Sequence, residues 1–175
     1  MKKQKVLFSE EQIAKRVKEV GEELSNDYRG KKPLVISLLR GSFIFAADLV
    51  RAMDIDVEVD FMTTASYGHG EKSSGVVNIL SDVRAQVKDR DVIIVDDIID
   101  SGYTMHAITE LIESKGPKSI KRCVVLDKPS RRESDINAEY VCFEIPDVFI
   151  VGYGLNYGDF KRNIPYIYTY VDEEE

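Results

Sequence analysis

The sequence predicts an α/β fold in which helices cover both faces of a parallel sheet. Three strand-sized apolar runs, Leu34–Leu39, Val92–Val95 and Ile120–Leu126, are typical of buried strands. Stretches with apolar residues at helical spacing separate these runs. Because parallel strands need helix-sized crossovers, this alternation favours a parallel sheet over an antiparallel one.

The chain of 175 residues is long enough for one well-buried core, and we predict a single domain over residues 1–175. Its hydrophobic content of 43% and charged content of 31% are typical of globular proteins. No apolar run reaches membrane-spanning length, and no apolar stretch follows the basic N-terminal residues. These features predict a cytoplasmic protein without a membrane span or a secretory signal.

The charge balance restricts the class of ligand. Lys and Arg number 24 against 31 Asp and Glu, which gives a net charge of −7 and disfavours broad binding to nucleic acid. An anionic small substrate remains compatible with this charge, because backbone N–H groups, a few basic side chains and a metal ion supply local positive potential. Cys123 and Cys142 lie far apart in apolar segments, which predicts buried free thiols.

Three helices are predicted between the strands. The first begins at a capping box formed by Ser9 and Gln12, and the second begins with Ser42 as its cap. The third follows Thr104 and ends at Gly116. Their apolar stripes are Ile13, Val17, Val20 and Leu24 in the first; Phe43, Phe45, Ala46, Leu49 and Val50 in the second; and Ala107, Ile108, Leu111 and Ile112 in the third.

Further strands and one loop follow from local patterns. Val57, Val59 and Phe61 alternate with acidic residues, which predicts a strand. Ser66–Gly75 is rich in Gly and Ser and has no apolar periodicity, which predicts a mobile loop. Additional short strands are predicted at residues 76–80, 140–143, 149–151 and 166–171.

The strand at residues 92–95 runs directly into two carboxylates, Asp96 and Asp97. Open α/β sheets bind their ligands at the carboxyl ends of the strands. Successive strand residues point to opposite faces, so the two carboxylates are expected to have different roles. One faces a ribose diol or a hydrated metal ion, and the other holds a loop in place.

The next residues bring Asp100, Ser101, Gly102 and Thr104 to the start of the third helix. Free N–H groups at a helix N-terminus, two hydroxyls and a glycine that permits close approach suit a phosphate dianion. Each feature alone also occurs as a purely structural helix cap. The complete string Val92–Thr104 is far more restrictive, and it favours a phosphate site.

That string closely resembles the signature with which type I phosphoribosyltransferases bind 5-phosphoribosyl 1-diphosphate (PRPP). Further segments, between about Phe8 and Val171, are similar to the hypoxanthine-guanine branch of that family. They are a pyrophosphate loop at Leu39–Phe43, the start of a mobile catalytic loop at Ser66 and Tyr67, a strand ending in a purine-contacting lysine at Val125–Lys128, a purine-stacking segment at Phe143–Tyr153, and a pyrophosphate-contacting arginine at Arg162.

The resemblance implies the type I phosphoribosyltransferase fold. A twisted parallel sheet flanked by helices forms a core at about residues 30–150, and the N-terminal and C-terminal segments form a small hood lobe. The implied reaction transfers the 5-phosphoribosyl group from PRPP to hypoxanthine or guanine, which gives IMP or GMP and pyrophosphate in purine salvage. The expected cofactor is Mg²⁺, the expected assembly is a homodimer or homotetramer, and neither a nucleic-acid nor a membrane partner is expected.

The resemblance also implies a role for each matched residue. Asp100 takes the proton from the purine ring nitrogen as the glycosidic bond forms, and Lys128 donates to the purine 6-oxo group. Asp96 and Asp97 bind the ribose hydroxyls and the metal ion, directly or through its water. The other expected contacts are to the PRPP phosphate from Ser101, Gly102, Tyr103 and Thr104; to pyrophosphate from Leu39, Arg40, Gly41 and Arg162; and to the purine from Phe149, Ile150 and Asn156.

Two positions differ from the family pattern. Asp96 replaces a more common glutamate, and Asn156 replaces a frequent aspartate, which either weakens a metal contact or alters the base preference. Some family members have a cis peptide at the position of Leu39–Arg40.

Two other functions remain open: a nucleotide-sensing regulator without catalysis, and a transferase for xanthine or another base. A dinucleotide-binding fold is disfavoured, because no G-x-G-x-x-G string opens the first strand–helix unit.

Overall fold

The computed structural model describes residues 2–66 and 77–172, so the predicted mobile loop, including Tyr67, lies outside the described residues except for Ser66. A 3₁₀ turn at Pro129–Arg131 follows the sixth strand. In chain order the elements are β1 (Lys2–Phe8), α1 (Glu10–Asp27), β2 (Leu34–Leu39), α2 (Phe43–Arg51), β3 (Glu58–Ser66), β4 (Val77–Ser81), β5 (Asp91–Ile99), α3 (Tyr103–Glu113), β6 (Ser119–Asp127), β7 (Tyr140–Glu144) and β8 (Ile167–Asp172).

Six strands form the central sheet in the order β4-β3-β2-β5-β6-β7. Five of them are parallel, which confirms the predicted parallel sheet, whereas β4 pairs antiparallel with β3 and makes the sheet mixed. Only residues 67–76 join β3 to β4. This connection is shorter than the crossover of about a dozen residues that a parallel pair requires, so β4 returns antiparallel.

Helices cover both faces of the sheet, as the apolar pattern of its strands predicts. Ile93 and Val95 of β5 pack in a core with α1 and α2, whereas Val92 and Ile94 pack in a second core with α3. All four side chains are fully buried. This double burial explains why β5 is apolar at consecutive positions and not only at alternate ones.

The predicted start of α1 is confirmed. The Ser9 hydroxyl accepts the Gln12 N–H at 3.1 Å, and the Gln12 side chain accepts the Ser9 N–H at 2.8 Å. The predicted apolar stripes lie on the covered faces of the three helices, except for Phe43, which is exposed at the start of α2. None of the described helices is both long enough and apolar enough to cross a membrane.

The prediction that the Ser42 side chain caps α2 is wrong. Ser42 occupies the cap position, but its hydroxyl makes no bond to the helix. It donates instead to the Leu38 carbonyl at 2.5 Å and lies 2.8 Å from the Ser37 hydroxyl. Because Ser42 is fully buried, its hydroxyl needs a partner, and the end of β2 provides one.

The predicted strand at residues 166–171 is confirmed as β8, whereas two segments that pair with it are not predicted correctly or at all. The basic N-terminal segment forms β1, which pairs antiparallel with β8 in a separate two-stranded sheet. The predicted strand at residues 149–151 is wrong, because only Val151 bridges to Tyr168 there. Both outcomes depend on β8, which lies far from β1 in sequence and supplies the hydrogen-bond partners of both segments.

Candidate active site

A cleft of about 300 Å³ opens at the carboxyl ends of β2 and β5. Parallel pairing of these two strands places the turn after β2 beside the carboxylates that end β5. Most of the predicted site residues line this cleft. They are Leu39, Gly41, Asp96, Asp97, Asp100, Ser101, Gly102, Thr104, Asn156 and Arg162.

Asp96 and Asp97 are adjacent carboxylates in the last part of β5. Each accepts the N–H of the following residue, at 2.9 Å for Asp96 Oδ1 and 2.7 Å for Asp97 Oδ1. Burial raises the pKa of Asp96 well above its usual value, and the charge of Asp97 raises it further. Burial also raises the pKa of Asp97, although Arg162 partly opposes that shift. Such a pair favours an incoming cation or hydroxyl donor, because either one offsets the crowded negative charge.

The Asp97 side chain packs against the turn after β2. A Cβ atom at Gly41 would overlap the Asp97 carboxylate, and one at Gly154 would overlap the Gly41 carbonyl. Arg162 Nη1 donates to the Gly154 carbonyl at 2.7 Å. Asp97 therefore packs against Gly41, and Arg162 binds Gly154, which itself packs against Gly41.

Gly102 permits the close packing at the start of α3. It is the cap residue of that helix, with a φ of 90°. A Cβ atom there would lie 2.9 Å from Ile136 Cγ2 and 3.0 Å from Arg132 Cδ, closer than a side chain tolerates. Glycine is required both by the left-handed conformation and by the segment that packs on it.

In the turn before α3, a carbonyl group bonds to the protein backbone, whereas N–H groups remain available to a ligand. The Ser101 carbonyl accepts the backbone N–H groups of Glu133 at 2.9 Å and Ser134 at 3.0 Å. The first amides of a helix have no partner within it, so those next to Thr104 are available to an anion in the cleft. The Tyr103 hydroxyl donates to Glu133 at 2.6 Å, and Tyr103 does not line the cleft.

Asp100 and Lys128 meet where β5 and β6 end. The Lys128 N–H donates to the Ile99 carbonyl at 3.0 Å, which brings the lysine beside Asp100. Lys128 Nζ lies 3.9 Å from Asp100 Oδ2 and 3.7 Å from Asp147 Oδ1. Arg131 Nε lies 3.4 Å from Asp100 Oδ1, and its Nη1 lies 3.5 Å from Asp147 Oδ2. Asp100, Lys128, Asp147 and Arg131 form a closed cycle of alternating charge, which we call the charge ring.

One buried atom of the charge ring has no hydrogen-bond partner in the described part of the chain. Asp100 Oδ1 is buried and accepts no hydrogen bond from the described residues, since Arg131 approaches it without suitable geometry. A buried carboxylate oxygen with an unused lone pair is an acceptor for a donor on a ligand. The Asp100 carboxylate therefore has unused acceptor capacity, and because its side chain is 42% exposed, a donor on a ligand can approach it.

Arg132 ties Asp100 to the rest of the fold. Its Nε donates to the Asp100 carbonyl at 3.2 Å, and its Nη1 donates to the Ile136 carbonyl at 2.7 Å. Its Nη2 pairs with the Asp127 carboxylate. One largely buried guanidinium thus fixes the backbone of the phosphate turn to the end of β6.

Three charged residues of the site, Arg131, Arg132 and Asp147, carry no recognised motif in the sequence. The available signal is weak. Three cations, at residues 128, 131 and 132, follow a strand whose end lies at the same sheet edge as the end of β5. That proximity becomes visible only once β5 and β6 are known to be neighbours.

The predicted purine-stacking residues lie outside the cleft wall. Phe149 is 59% exposed, with its ring centroid 5.9 Å from that of Tyr157 in an edge-on arrangement, whereas Ile150 is buried. Asn156 reaches the cleft, and its Nδ2 donates to the Gly158 carbonyl at 2.7 Å. Phe149 follows Asp147 of the charge ring by two residues in the chain, and an exposed aromatic face suits stacking on a planar ligand.

Three other predicted residues, Arg40, Ser66 and Tyr67, do not line the described part of the cleft. Arg40 is exposed and does not line the cleft, and the peptide bond Leu39–Arg40 is cis. Ser66 ends β3, and Tyr67 lies outside the described residues.

The protein residues fit a hydrated Mg²⁺ ion and not a metal held by protein alone. Within residues 2–66 and 77–172, no three His, Cys, Asp or Glu side chains form a metal-binding cluster. Mg²⁺ keeps several waters and binds substrate phosphates, so it needs only one or two carboxylates. The crowded pair Asp96 and Asp97 meets that requirement.

Comparisons with known proteins agree with this geometry. The family model of the phosphoribosyl transferase domain matches residues 3–158. A hypoxanthine-guanine phosphoribosyltransferase of Aquifex aeolicus is 48% identical over 172 residues, covering 98% of this chain and 97% of that protein. The Bacillus subtilis protein of the same name is 49% identical over 164 residues, covering 94% of this chain and 91% of its own length.

Solved structures give the same result. The crystal structure of a hypoxanthine phosphoribosyltransferase from Staphylococcus aureus superposes with a TM-score of 0.91 at 43% identity, covering 94% of this chain and 90% of that one. Similarity of sequence and of fold thus extends over nearly the whole chain. The chain belongs to the phosphoribosyltransferase family and, within it, to the hypoxanthine-guanine phosphoribosyltransferases.

Proposed function

We propose that the chain transfers the 5-phosphoribosyl group of PRPP to hypoxanthine or guanine, with Asp100 accepting the proton of the purine. The observation that carries this proposal is the position of Asp100. Asp100 lines the cleft directly before the helix start that suits a phosphate, and its Oδ2 lies 3.9 Å from the buried ammonium of Lys128. A ribose docked on the phosphate side therefore has its reacting carbon near the base acceptor.

Different residues of the cleft bind different parts of PRPP. The turn Asp100–Thr104 holds the 5-phosphate with its backbone N–H groups, and Asp96 and Asp97 hold the ribose hydroxyls. Gly41 and Arg162, with the exposed Arg40, hold the pyrophosphate. Mg²⁺, when bound, supplies positive charge that favours the departure of pyrophosphate.

The reaction then needs one bond broken, one bond formed and one proton moved. The bond between the ribose carbon and the pyrophosphate oxygen breaks, and a bond to the purine nitrogen forms. The purine N–H proton passes to the Asp100 carboxylate. Lys128 donates to the 6-oxo group of the base, which disfavours adenine because its amino group is itself a donor.

The proposal extends to assembly and location. The two-stranded sheet of β1 and β8 serves as the hood lobe, and the protein acts in the cytoplasm as a homodimer or homotetramer. The apolar side chains of Val59 and Phe61 project from one face of β3 and are both substantially exposed. Exposed apolar neighbours of this kind support association between copies of the chain.

The test is the variant Asp100→Asn. The amide cannot take the proton, so turnover of hypoxanthine should fall about 100- to 10,000-fold, whereas PRPP binding should remain. Steady-state formation of IMP measures the first quantity, and calorimetric titration with Mg²⁺–PRPP measures the second. Asp54→Asn, at an exposed carboxylate distant from the cleft, is the control. Near-normal turnover in Asp100→Asn would remove Asp100 from this role.

A further inference from the structure

We propose that Arg131 is a positioning residue: together with Asp147 it holds Lys128 and Asp100 apart, so that both remain available to the purine. This inference rests on the proposed function, in which the purine binds Lys128 and Asp100. Neither Arg131 nor Asp147 is itself assigned a contact with substrate.

The distances within the charge ring carry the proposal. Its four ion pairs measure 3.9, 3.7, 3.4 and 3.5 Å, and none of them is a hydrogen bond. Direct ion pairs elsewhere in the chain are shorter, such as Lys115 with Asp82 at 2.8 Å. Each cation of the ring is shared between two carboxylates, so neither carboxylate draws it into close contact. The balance of attraction keeps Lys128 and Asp100 separate.

The separation of Lys128 from Asp100 matters because the Lys128 side chain is buried. The Lys128 side chain is only 9% exposed and the Asp100 side chain is 42% exposed, so a direct ion pair between them would be only partly screened by water. A purine would have to break that pair before it could use either group. The open arrangement removes this cost, since both groups are already near the positions in which they meet the base.

The other two members of the charge ring, Arg131 and Asp147, are able to adjust. Arg131 is 51% exposed and Asp147 is 52% exposed. Water therefore solvates their charges when the purine binds Lys128 and Asp100. Arg132 cannot take over the role of Arg131, because its guanidinium is committed to Asp127 and to the Asp100 and Ile136 carbonyls. Arg131 is therefore the cation that balances Lys128.

The first experiment is Arg131→Gln. Without Arg131, Lys128 should close onto Asp100, so KM for hypoxanthine should rise about tenfold, with kcat changed less than about twofold and KM for PRPP unchanged. Arg131→Lys keeps the charge and should recover most of the purine affinity. Arg29→Gln is the matched control, because Arg29 is 53% exposed and pairs with Asp54 near the amino ends of the strands.

A double-variant cycle tests the mechanism further. Asp147→Asn should produce a similar rise in KM for hypoxanthine, because Lys128 then has Asp100 as its remaining carboxylate partner. The combined variant Arg131→Gln/Asp147→Asn should be no worse than either single change, since both act on the same pair. Strictly additive effects would overturn the proposal.

Two further outcomes also overturn it. One is an unchanged KM for hypoxanthine in Arg131→Gln, and the other is an equal rise in KM for PRPP with a lowered Tm, which indicates a general structural role. These results are separable from the test of the proposed function. If Asp100→Asn is inactive while Arg131→Gln is normal, only the positioning role of Arg131 fails. If Asp100→Asn is fully active, the proposed function fails.

Discussion

The two halves of the active cleft are built in different ways. The proposed phosphate half consists of Gly41, Arg162 and the continuous segment Asp96–Thr104 without the Asp100 side chain, and most of its polar groups come from one strand, one turn and one helix start. The base half consists of the charge ring and Phe149, whose side chains come from three separate chain segments. The first half is mainly backbone, and the second is almost entirely side chain.

Because of this difference, the phosphate half is rigid and the base half can adjust to its ligand. In the phosphate half, Gly102 and Gly41 lie where any added carbon atom collides, so the geometry is fixed by close packing. In the base half, charges face each other at 3.4 to 3.9 Å without hydrogen bonds. A doubly charged phosphate benefits from a fixed cradle, whereas a planar base benefits from partners that can move toward it.

The largest loss of PRPP affinity is expected for Gly41→Ala, which tests the rigidity of the phosphate half. The new Cβ overlaps the Asp97 carboxylate, so the turn must shift and the affinity for PRPP should fall about 100-fold. Titration calorimetry with Mg²⁺–PRPP measures this loss. Gly30→Ala is the control: Gly30 has a positive φ but an open surrounding, so it should cost about 1 kcal/mol of stability and leave PRPP affinity intact. An unaltered PRPP affinity in Gly41→Ala would show that the turn yields easily.

A smaller effect, confined to the base half, is expected for Lys128→Met. Loss of a charged donor to the 6-oxo group should lower kcat/KM for hypoxanthine roughly 10- to 100-fold, with little change in KM for PRPP. Lys115→Met, at a surface lysine paired with Asp82, is the matched control and should be neutral. Steady-state kinetics with each substrate varied in turn separates the two halves. A comparable loss in PRPP affinity would contradict their independence.

The smallest effect on catalysis is expected for Arg132→Gln, which tests how the halves are joined. This change removes the contacts to Asp127 and to the Asp100 carbonyl, so KM for both substrates should rise about threefold and the free energy of unfolding should fall by about 2 kcal/mol. Arg122→Gln, at a partly buried pair with Glu139, should lose stability without a change in KM. An effect on one substrate alone would mean that Arg132 belongs to one half and does not connect them.

The sequence by itself predicted the five parallel strands of the central sheet and the residues of the proposed phosphate half. The string Val92–Thr104 predicts a strand, two carboxylates and a phosphate-binding helix start, because strand burial, glycine φ and helix ends are local properties of the backbone. The capping box at Ser9 and Gln12 is equally local, and it is confirmed.

Only the tertiary structure decided the charge ring, the pairing of β1 with β8 and the true partner of the Ser42 hydroxyl. Asp100, Arg131 and Asp147 become neighbours because β5 and β6 pair in parallel and residues 145–147 return to their ends. Ion pairs depend on distance in space, and nothing in the residues around each charge specifies a partner far along the chain. Groups whose geometry is set by adjacent backbone are therefore predictable from sequence, whereas groups that act through distant charges are not.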